Sequence, residues 1–288
     1  MYYALIMLSV VMFGGCFALQ DVFRKMRGSS LAVSMESACV GGIAGIIILF
    51  ATSGFKVEYT HFTFIMGLIA AVNSVVLTYC GFKALDRINL SLYSLFLMLG
   101  GMVLPFLQGI FFYDEPFTLA KAVCVVFIVA ALALTVTKGE NKKGYIYYVA
   151  IFIMNGLSGV FTKLFNELPY EKTSEAGYSI WIAICTVAIS GIVWLIYALK
   201  GNKDIAGFKF KAASVSAING AVNNFANYLL VIAIAFVDSS VQYPLITGGV
   251  MIVSTLICYF GDRKPSKREL ASIVLAFLGM LALFIIPI

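Results

Sequence analysis

The chain has 288 residues, of which 61% are hydrophobic and 12% are charged, and its formal net charge is +6. Soluble domains carry about 25% charged residues, so this composition excludes a soluble globular protein and predicts one that crosses a membrane several times. The basic residues lie at the ends of apolar segments instead of forming one patch. The positive charge is therefore not the signature of a nucleic-acid surface.

Ten apolar stretches, separated by charges or turn residues, have the length of transmembrane helices. They lie at residues 3–23, 31–52, 63–83, 90–113, 117–137, 145–166, 177–199, 212–236, 240–260 and 269–287. The connecting loops are short, so no soluble domain is expected. The first stretch lacks the basic residues of a secretory signal and is expected to stay as a helix. The chain is thus predicted to be an all-α integral membrane protein with ten transmembrane helices.

Cysteine and histidine provide no sign of a cofactor site. Each of the six cysteines lies in a different apolar stretch, which is unlike a disulfide framework or a zinc site. The single histidine, His61, lies in a polar loop and is interpreted as a surface residue, because metal sites and catalytic bases need convergent partners. We expect neither a metal nor another cofactor.

A short polar motif occurs twice near the middle of an apolar stretch, as Ala71-Val72-Asn73-Ser74 and as Ala221-Val222-Asn223-Asn224. Each asparagine would lie near the membrane midplane, where an amide without a hydrogen-bond partner is costly. In the second stretch Asn219, Asn223 and Asn227 are four residues apart and share one face of a helix. The two motifs therefore predict a central polar cavity.

The two motifs are also the clearest mark of an internal repeat. They align at an offset of 150 residues, and the next stretch aligns at an offset of 148, which matches Gly100-Gly101 with Gly248-Gly249. A unit with an odd number of spans must insert its second copy upside down. We therefore predict two inverted five-helix repeats, at residues 1–138 and 144–288. The glycine pairs are expected to let helix backbones approach closely.

These features resemble the drug/metabolite transporter superfamily, and most of all its EamA-like family. The resemblance consists of the five-span repeats, the glycine pairs in each fourth helix, and an acid in the turn that follows. That turn reads Tyr113-Asp114-Glu115-Pro116 in the first half and Phe260-Gly261-Asp262-Arg263 in the second. The resemblance covers nearly the whole chain. It implies a cavity lined by helices one to four and six to nine, and transport of small metabolites by alternating access.

The chain differs from the family pattern at two places. The second helix starts with Ser34-Met35-Glu36-Ser37, where the pattern has an arginine, and the first helix has Phe13-Gly14 without the usual tryptophan. The substrate is therefore not carried over from relatives.

The orientation of the chain in the membrane also stays open. The loops that follow odd-numbered spans hold 16 of the 20 Lys and Arg residues, which puts both termini outside. The family is usually drawn with both termini inside.

The asparagines have two possible roles. Amides donate and accept hydrogen bonds without charge and could line a substrate cavity, or each could contribute an interhelical hydrogen bond of about 0.6 kcal/mol. Five asparagines on two related helices favour the cavity, with nearby tyrosines as aromatic walls or, alternatively, as packing residues and interface anchors. The candidate substrate-binding residues are Asn73, Ser74, Tyr79, Tyr93, Asn219, Asn223, Asn224, Asn227, Tyr228, Gln242 and Tyr243.

Three of the charged residues within the predicted spans are functional candidates. Glu36 is a candidate for coupling transport to protons or a cation, because an ionisable residue within a span is a functional candidate. The alternative is an interfacial carboxylate paired with Lys25 or Arg27. Asp21 and Lys163 could form a gate, or Asp21 could form a helix-end ion pair while Lys163 extends to the interface.

The sequence thus predicts a secondary transporter, not an enzyme, in the plasma membrane. Its substrate would be a small polar or amphipathic metabolite, which could be amino-acid-like, an amine or drug-like. The expected partners are this substrate, the lipid bilayer and protons, without nucleic acid, and the protein is expected to be a monomer or homodimer. The alternatives are a passive channel and a lipid enzyme. The chain lacks the Gly-x-Ser-x-Gly and His-Glu-x-x-His motifs that would favour an enzyme.

Overall fold

The computed structural model describes residues 2–113, 117–135, 142–234, 239–261 and 264–285. Within these ranges the secondary structure consists of eleven helices without any strand. The helices are α1 (Tyr2–Arg27), α2 (Leu31–Thr52), α3 (His61–Leu85), α4 (Leu90–Phe112), α5 (Leu119–Thr135), α6 (Lys142–Glu167), α7 (Glu175–Leu199), α8 (Lys203–Ala206), α9 (Phe210–Ile234), α10 (Ser239–Tyr259) and α11 (Lys267–Ile285).

Each of the ten predicted apolar stretches corresponds to one long helix, which confirms the all-α prediction and is compatible with a membrane protein. Among the described residues, six helices are long and apolar enough to cross a membrane. They are Tyr2–Arg27, Leu31–Thr52, His61–Leu85, Leu90–Phe112, Ile146–Glu167 and Glu175–Leu199. The short helix α8 was not predicted. Ten transmembrane helices in two inverted repeats remain a prediction, as does the division into residues 1–138 and 144–288.

Several helices begin where a polar side chain caps the free backbone N–H groups of the first turn. Ser30 accepts a hydrogen bond from the backbone of Val33 at the start of α2. Asn89 and Ser174 do the same at the starts of α4 and α7. Such caps stabilise a helix end by roughly 1 kcal/mol and fix where the apolar run starts to be helical.

The helices form two compact units, each built from both predicted halves of the chain. Unit 1 consists of Met1–Ala18, Arg87–Val160 and Leu229–Ile288. Unit 2 consists of Leu19–Asp86 and Phe161–Tyr228. In the following, each unit is described by itself.

The interior of unit 1 is apolar and closely packed. Its centre is a cluster from α4, α5, α10 and α11, which consists of Leu95, Leu99, Cys124, Ile128, Ala131, Met251, Ile273, Ala276 and Met280. The glycine pair of α4 lets this helix approach α6, because a Cβ on Gly100 would overlap the backbone of Phe152. Beside it, the Nδ2 group of Asn155 donates to the Leu97 carbonyl oxygen at 2.6 Å. The expected close approach at this pair is present in the structure.

Unit 2 is built from α2, α3, α7, α8 and most of α9, together with the ends of α1 and α6. Its packing relies on small residues: Gly42 of α2 contacts Val187 of α7, and Gly67 of α3 contacts Trp181 of α7. Stacked aromatic rings fill the region where α6 and α7 meet, with the centroids of Phe165 and Tyr178 4.1 Å apart.

All six cysteines of the chain are free, and five of them are buried while Cys39 is partly exposed.

Candidate functional site

Helices α2 and α9 approach closely in unit 2, where small residues face each other. Ser37 and Gly41 of α2 are four residues apart, as are Ser216 and Gly220 of α9. The serine hydroxyls are 3.0 Å apart, and the hydroxyl of Ser216 also donates to the Ser37 carbonyl oxygen at 2.8 Å. A Cβ on Gly220 would overlap the Gly41 carbonyl oxygen. The two backbones therefore touch, as in small-xxx-small packing of membrane helices.

One turn further along, the same pattern continues with Gly45 on α2 and Asn224 on α9. The Nδ2 group of Asn224 lies where a Cβ of Gly45 would be, and it donates to the Gly220 carbonyl oxygen at 2.9 Å. The amide thus occupies the notch that the glycine leaves. Small residues on α2 leave space beside α9 for a cavity.

A cavity of about 310 Å³ lies within unit 2 beside this contact. It is lined by residues from α1, α2, α3, α7 and α9, namely Gln20, Ser37, Ala38, Gly41, Gly42, Ser74, Thr78, Ser179, Ile182, Ala183, Thr186, Asn219, Gly220, Asn223 and Asn224. Four amides and five hydroxyls supply polar groups, and none of these lining residues is charged. The arrangement can bind a small molecule through hydrogen bonds, since sites for such ligands start at about 300 Å³.

Four of the predicted site residues line this cavity: Ser74 of α3 and Asn219, Asn223 and Asn224 of α9. Two others lie nearby without lining it. Asn73 is buried in α3. Asn227 is exposed and donates through Nδ2 to the backbone oxygen of Asn223 at 3.0 Å and to its side-chain oxygen at 3.2 Å.

Among the described residues, the predicted tyrosines Tyr79, Tyr93 and Tyr228 do not line the cavity. Tyr79 lies 5.9 Å from the Lys83 ammonium, and the ring of Tyr228 is 6.2 Å from that of Phe225. Tyr93 belongs to unit 1, where it contacts Phe17 edge to face. The side chains of Gln242 and Tyr243 lie outside the described residues.

Sequence reasoning missed five polar residues that line the cavity: Gln20, Ser37, Thr78, Ser179 and Thr186. They come from four different helices, so no periodic pattern connected them. A usable signal was present in the matching Ser-x-x-x-Gly spacing at Ser37 and Ser216, which indicates where two backbones can touch. Thr186 is 9% exposed, and its hydroxyl has no hydrogen-bond partner within the described part of the chain.

Glu36 lies in a buried ion pair. Its two carboxylate oxygens accept hydrogen bonds from Nε and Nη2 of Arg27, at 3.2 and 2.5 Å, and the side chains are 2% and 4% exposed. Arg27 also donates to the backbone oxygens of Asp204 and Gly207 beside α8. This is the ion pair that we considered as the alternative, and a proton-coupling role for Glu36 stays a prediction.

The proposed gate residue Asp21 contacts two basic residues of its own helix. Its carboxylate accepts from Arg24 at 2.8 Å and lies 3.2 Å from the Lys25 ammonium. Arg24 in turn donates to Asp86 at 2.6 Å. These contacts match the helix-end ion pair that was the alternative to the gate. The gating roles of Asp21 and Lys163 stay predictions.

The loop between α2 and α3 is fastened to the start of α7 by Glu58. Its carboxylate accepts from the backbone N–H of Ser174 at 2.6 Å, and its carbonyl oxygen accepts from the indole of Trp181 at 2.8 Å. The hydrogen bonds from Ser174 lower the pKa of the exposed Glu58 carboxyl below its ordinary value. This contact fixes the α7 end next to Ser179.

No group of three or more His, Cys, Asp and Glu side chains that could hold a metal is found among the described residues. The cavity therefore has to be interpreted from its amides and hydroxyls.

Comparison with known proteins gives the fold alone. No protein-family model and no curated protein matches the chain. A solved structure, described only as "Crystal structure of protein", is similar with a TM-score of 0.61 and 14% sequence identity. The similarity covers 95% of this chain and 96% of that one. A protein of very different sequence thus has a similar fold.

Proposed function

We propose that the chain is a secondary transporter of the drug/metabolite transporter superfamily, in its EamA-like family. It moves a small polar or amphipathic metabolite across the plasma membrane by alternating access. The two halves of the chain, residues 1–138 and 144–288, are the inverted five-helix repeats whose movement exposes the binding site to one side and then the other.

The observation that carries this proposal is the uncharged polar cavity beside α9. A hydrophobic helix bundle has no structural need for a 310 Å³ space lined by amides and hydroxyls, because small residues and apolar side chains would pack better there. Polar groups within membrane helices are costly and mark substrate pathways when they face a cavity. The lining residues include both copies of the repeated motif, through Ser74 and Asn223.

The pairing of helices supports the repeat. Helix α2 packs on α7, α4 on α10, and α5 on α11. These pairs are the second and seventh, fourth and ninth, and fifth and tenth predicted spans. Equivalent elements contact each other when they lie near a two-fold axis, which is the arrangement of inverted-repeat carriers.

In this proposal the residues of the cavity have distinct roles. Asn219, Asn223 and Asn224 hold the polar end of the substrate, since they provide most of the amides. Ser74 and Thr78 of α3 provide hydroxyls from the first half. The close contact at Gly41 and Gly220 holds α2 and α9 together beside the substrate.

A passive channel is the second candidate, and the limited volume of the cavity argues against it. A channel needs a continuous polar path, whereas the polar lining residues here surround one cavity of about 310 Å³ within unit 2. A lipid enzyme would need a convergent nucleophile, acid–base pair or metal site. The residues that line the cavity include hydroxyls but no histidine and no carboxylate.

The test is uptake into liposomes that contain the purified protein. Proteoliposomes are incubated with a defined mixture of small metabolites, and the contents are identified by mass spectrometry. We expect saturable uptake of at least one compound, competed by an excess of the same compound, and a loss of about tenfold or more in Asn223→Ala, because each lost buried hydrogen bond to a ligand costs about 1–2 kcal/mol.

The matched control is Asn166→Ala, which removes an exposed asparagine of unit 2 that does not line the cavity. Its uptake should equal that of the unaltered protein. Flux that rises linearly with concentration would favour a channel. Full uptake by a folded Asn223→Ala protein would remove the cavity from the proposal.

A further inference from the structure

We infer that the ligand of the cavity is an uncharged molecule rich in hydrogen-bonding groups, such as a polyol or a carboxamide, and not an amine, a carboxylate or a zwitterionic amino acid. If this ligand is the transported substrate, the inference rests on the proposed transport function and narrows its substrate class. The inference about what the cavity binds rests on the lining residues alone.

The first step concerns the charge of the lining. All polar groups around the cavity are amides and hydroxyls, so nothing there can neutralise a ligand charge. A charge brought from water into a low-dielectric site is costly unless an opposite charge meets it. An ammonium or carboxylate would therefore bind poorly, and a zwitterion would incur this cost at both ends.

The second step concerns the charged residues that come nearest along the chain. Asp21 follows the lining residue Gln20, and Glu36 precedes the lining residue Ser37. Both carboxylates are occupied by basic side chains of the protein, Asp21 by Arg24 at 2.8 Å and Glu36 by Arg27 at 2.5 Å. They are thus already neutralised and would have to break an ion pair to meet a ligand.

The third step is the hydrogen-bonding capacity that remains. The side-chain oxygen of Asn223 accepts from Asn227, which leaves the Nδ2 group of Asn223 as a donor. The Nδ2 group of Asn224 donates to Gly220, which leaves its side-chain oxygen as an acceptor. The buried hydroxyl of Thr186 can do either. Neighbouring donors and acceptors suit a ligand that itself carries both, as hydroxyls and carboxamides do.

The experiment measures binding of compounds that differ in charge at nearly constant size. Two matched series are glucose, glucosamine and glucuronate, and butyramide, butylamine and butyrate, tested with a wider panel of small metabolites sorted by charge. Both tryptophans of the chain, Trp181 and Trp194, lie in α7, so their fluorescence reports directly on unit 2. Thermal shift of the purified protein gives a second readout.

We expect the tightest ligands to be uncharged, with their charged counterparts at least tenfold weaker. Asn223→Asp, which places a carboxylate in the cavity at constant size, should weaken the uncharged ligand by tenfold or more. Asn166→Asp, the exposed control, should leave its affinity unchanged. If Asn223→Asp does not fold, Thr186→Val serves instead and should weaken the same ligand severalfold.

The inference is overturned if charged members of a series bind more tightly, or if no uncharged compound binds up to its solubility limit. This inference and the transport proposal can fail independently of each other. Selective binding of uncharged compounds without saturable flux would keep the ligand class and refute transport. Saturable flux of a charged metabolite would support transport and refute the uncharged ligand class.

Discussion

The interiors of the two units differ in what fills them. In unit 1 the space between α4, α5, α10 and α11 is filled by leucine, isoleucine, methionine and alanine side chains. In unit 2 the space beside α2, α7 and α9 is bordered by serine, threonine, asparagine and glycine, and it includes a cavity of about 310 Å³. Both are bundles of apolar helices, so the difference lies in side-chain volume and hydrogen-bonding groups. Dense packing stabilises unit 1, whereas unit 2 contains a polar cavity.

The largest expected effect is the loss of the buried ion pair in unit 2. Glu36→Gln leaves the Arg27 guanidinium buried without its charge partner, which typically costs about 3–5 kcal/mol. Thermal unfolding of the purified protein should show a clearly lowered Tm. Glu171→Gln, at an exposed loop position, should leave Tm unchanged. An unchanged Tm together with lost pH dependence of uptake would instead support proton coupling through Glu36.

A cavity created in unit 1 should affect stability without affecting binding. Leu99 is fully buried in the apolar cluster, and Leu99→Ala removes packing worth roughly 2–5 kcal/mol. Leu195→Ala, at a residue that is 52% exposed, is the control and should change Tm little. Ligand affinity measured below the Tm should stay the same in both variants. A large loss of affinity in Leu99→Ala would show that the division of roles between the units is wrong.

The backbone contact of α2 and α9 allows a test with a single methyl group. In Gly220→Ala the new Cβ meets the Gly41 carbonyl oxygen, which belongs to backbone and cannot rotate away. Overpacking of this kind costs about 1–3 kcal/mol and should also weaken ligand binding, because the cavity wall shifts. Gly15→Ala, where the Cβ would meet open space, should be neutral or slightly stabilising. Equal behaviour of the two variants would contradict the contact.

Thr186 should show opposite effects on stability and binding. In Thr186→Val the shape is kept while a buried hydroxyl without a partner in the described structure is removed, so the ligand-free protein should gain up to about 1 kcal/mol. Affinity for the ligand should fall roughly fivefold to tenfold, since one hydrogen bond is lost. Tm without ligand and Kd measure the two quantities. A lower Tm with unchanged Kd would assign the hydroxyl to structure.

The smallest effect is expected at Glu58, which is exposed. Because the folded state lowers the pKa of this carboxyl, its contribution to stability is complete above the ordinary pKa and is lost as the pH falls through the lowered value. The Tm difference between the unaltered protein and Glu58→Gln should therefore be present at neutral pH and vanish in acid. A difference that grows on acidification would contradict the assigned hydrogen bond.

Much of the fold was predictable because long apolar runs and their polar caps dictate where helices begin and end. Residues 31–52 form α2 as predicted, where Ser30 supplies the cap. Helix α8 was not predictable, since its four residues from Lys203 to Ala206 show no apolar pattern. It follows an asparagine cap in a polar loop.

The candidate site was predictable only in part. The four-residue spacing of Asn219 and Asn223 correctly put both on one helix face, and both line the cavity. Asn227 has the same spacing but is exposed and does not line the cavity. Spacing gives the direction of a side chain around a helix and not its depth within the bundle. Contributions from Ser179 and Thr186 depend on how α7 packs beside α2, which one sequence does not specify.

The free cysteines give this chain a practical property. Five are buried and Cys39 is partly exposed, so water-borne thiol reagents should meet few reactive groups on the native protein. In the variant Ser179→Cys, the new thiol would then be the main group that the reagent labels. Adding a membrane-impermeant maleimide to intact cells or to inverted vesicles would reveal the side of the membrane to which the cavity opens, and a ligand bound in the cavity should protect the thiol from modification.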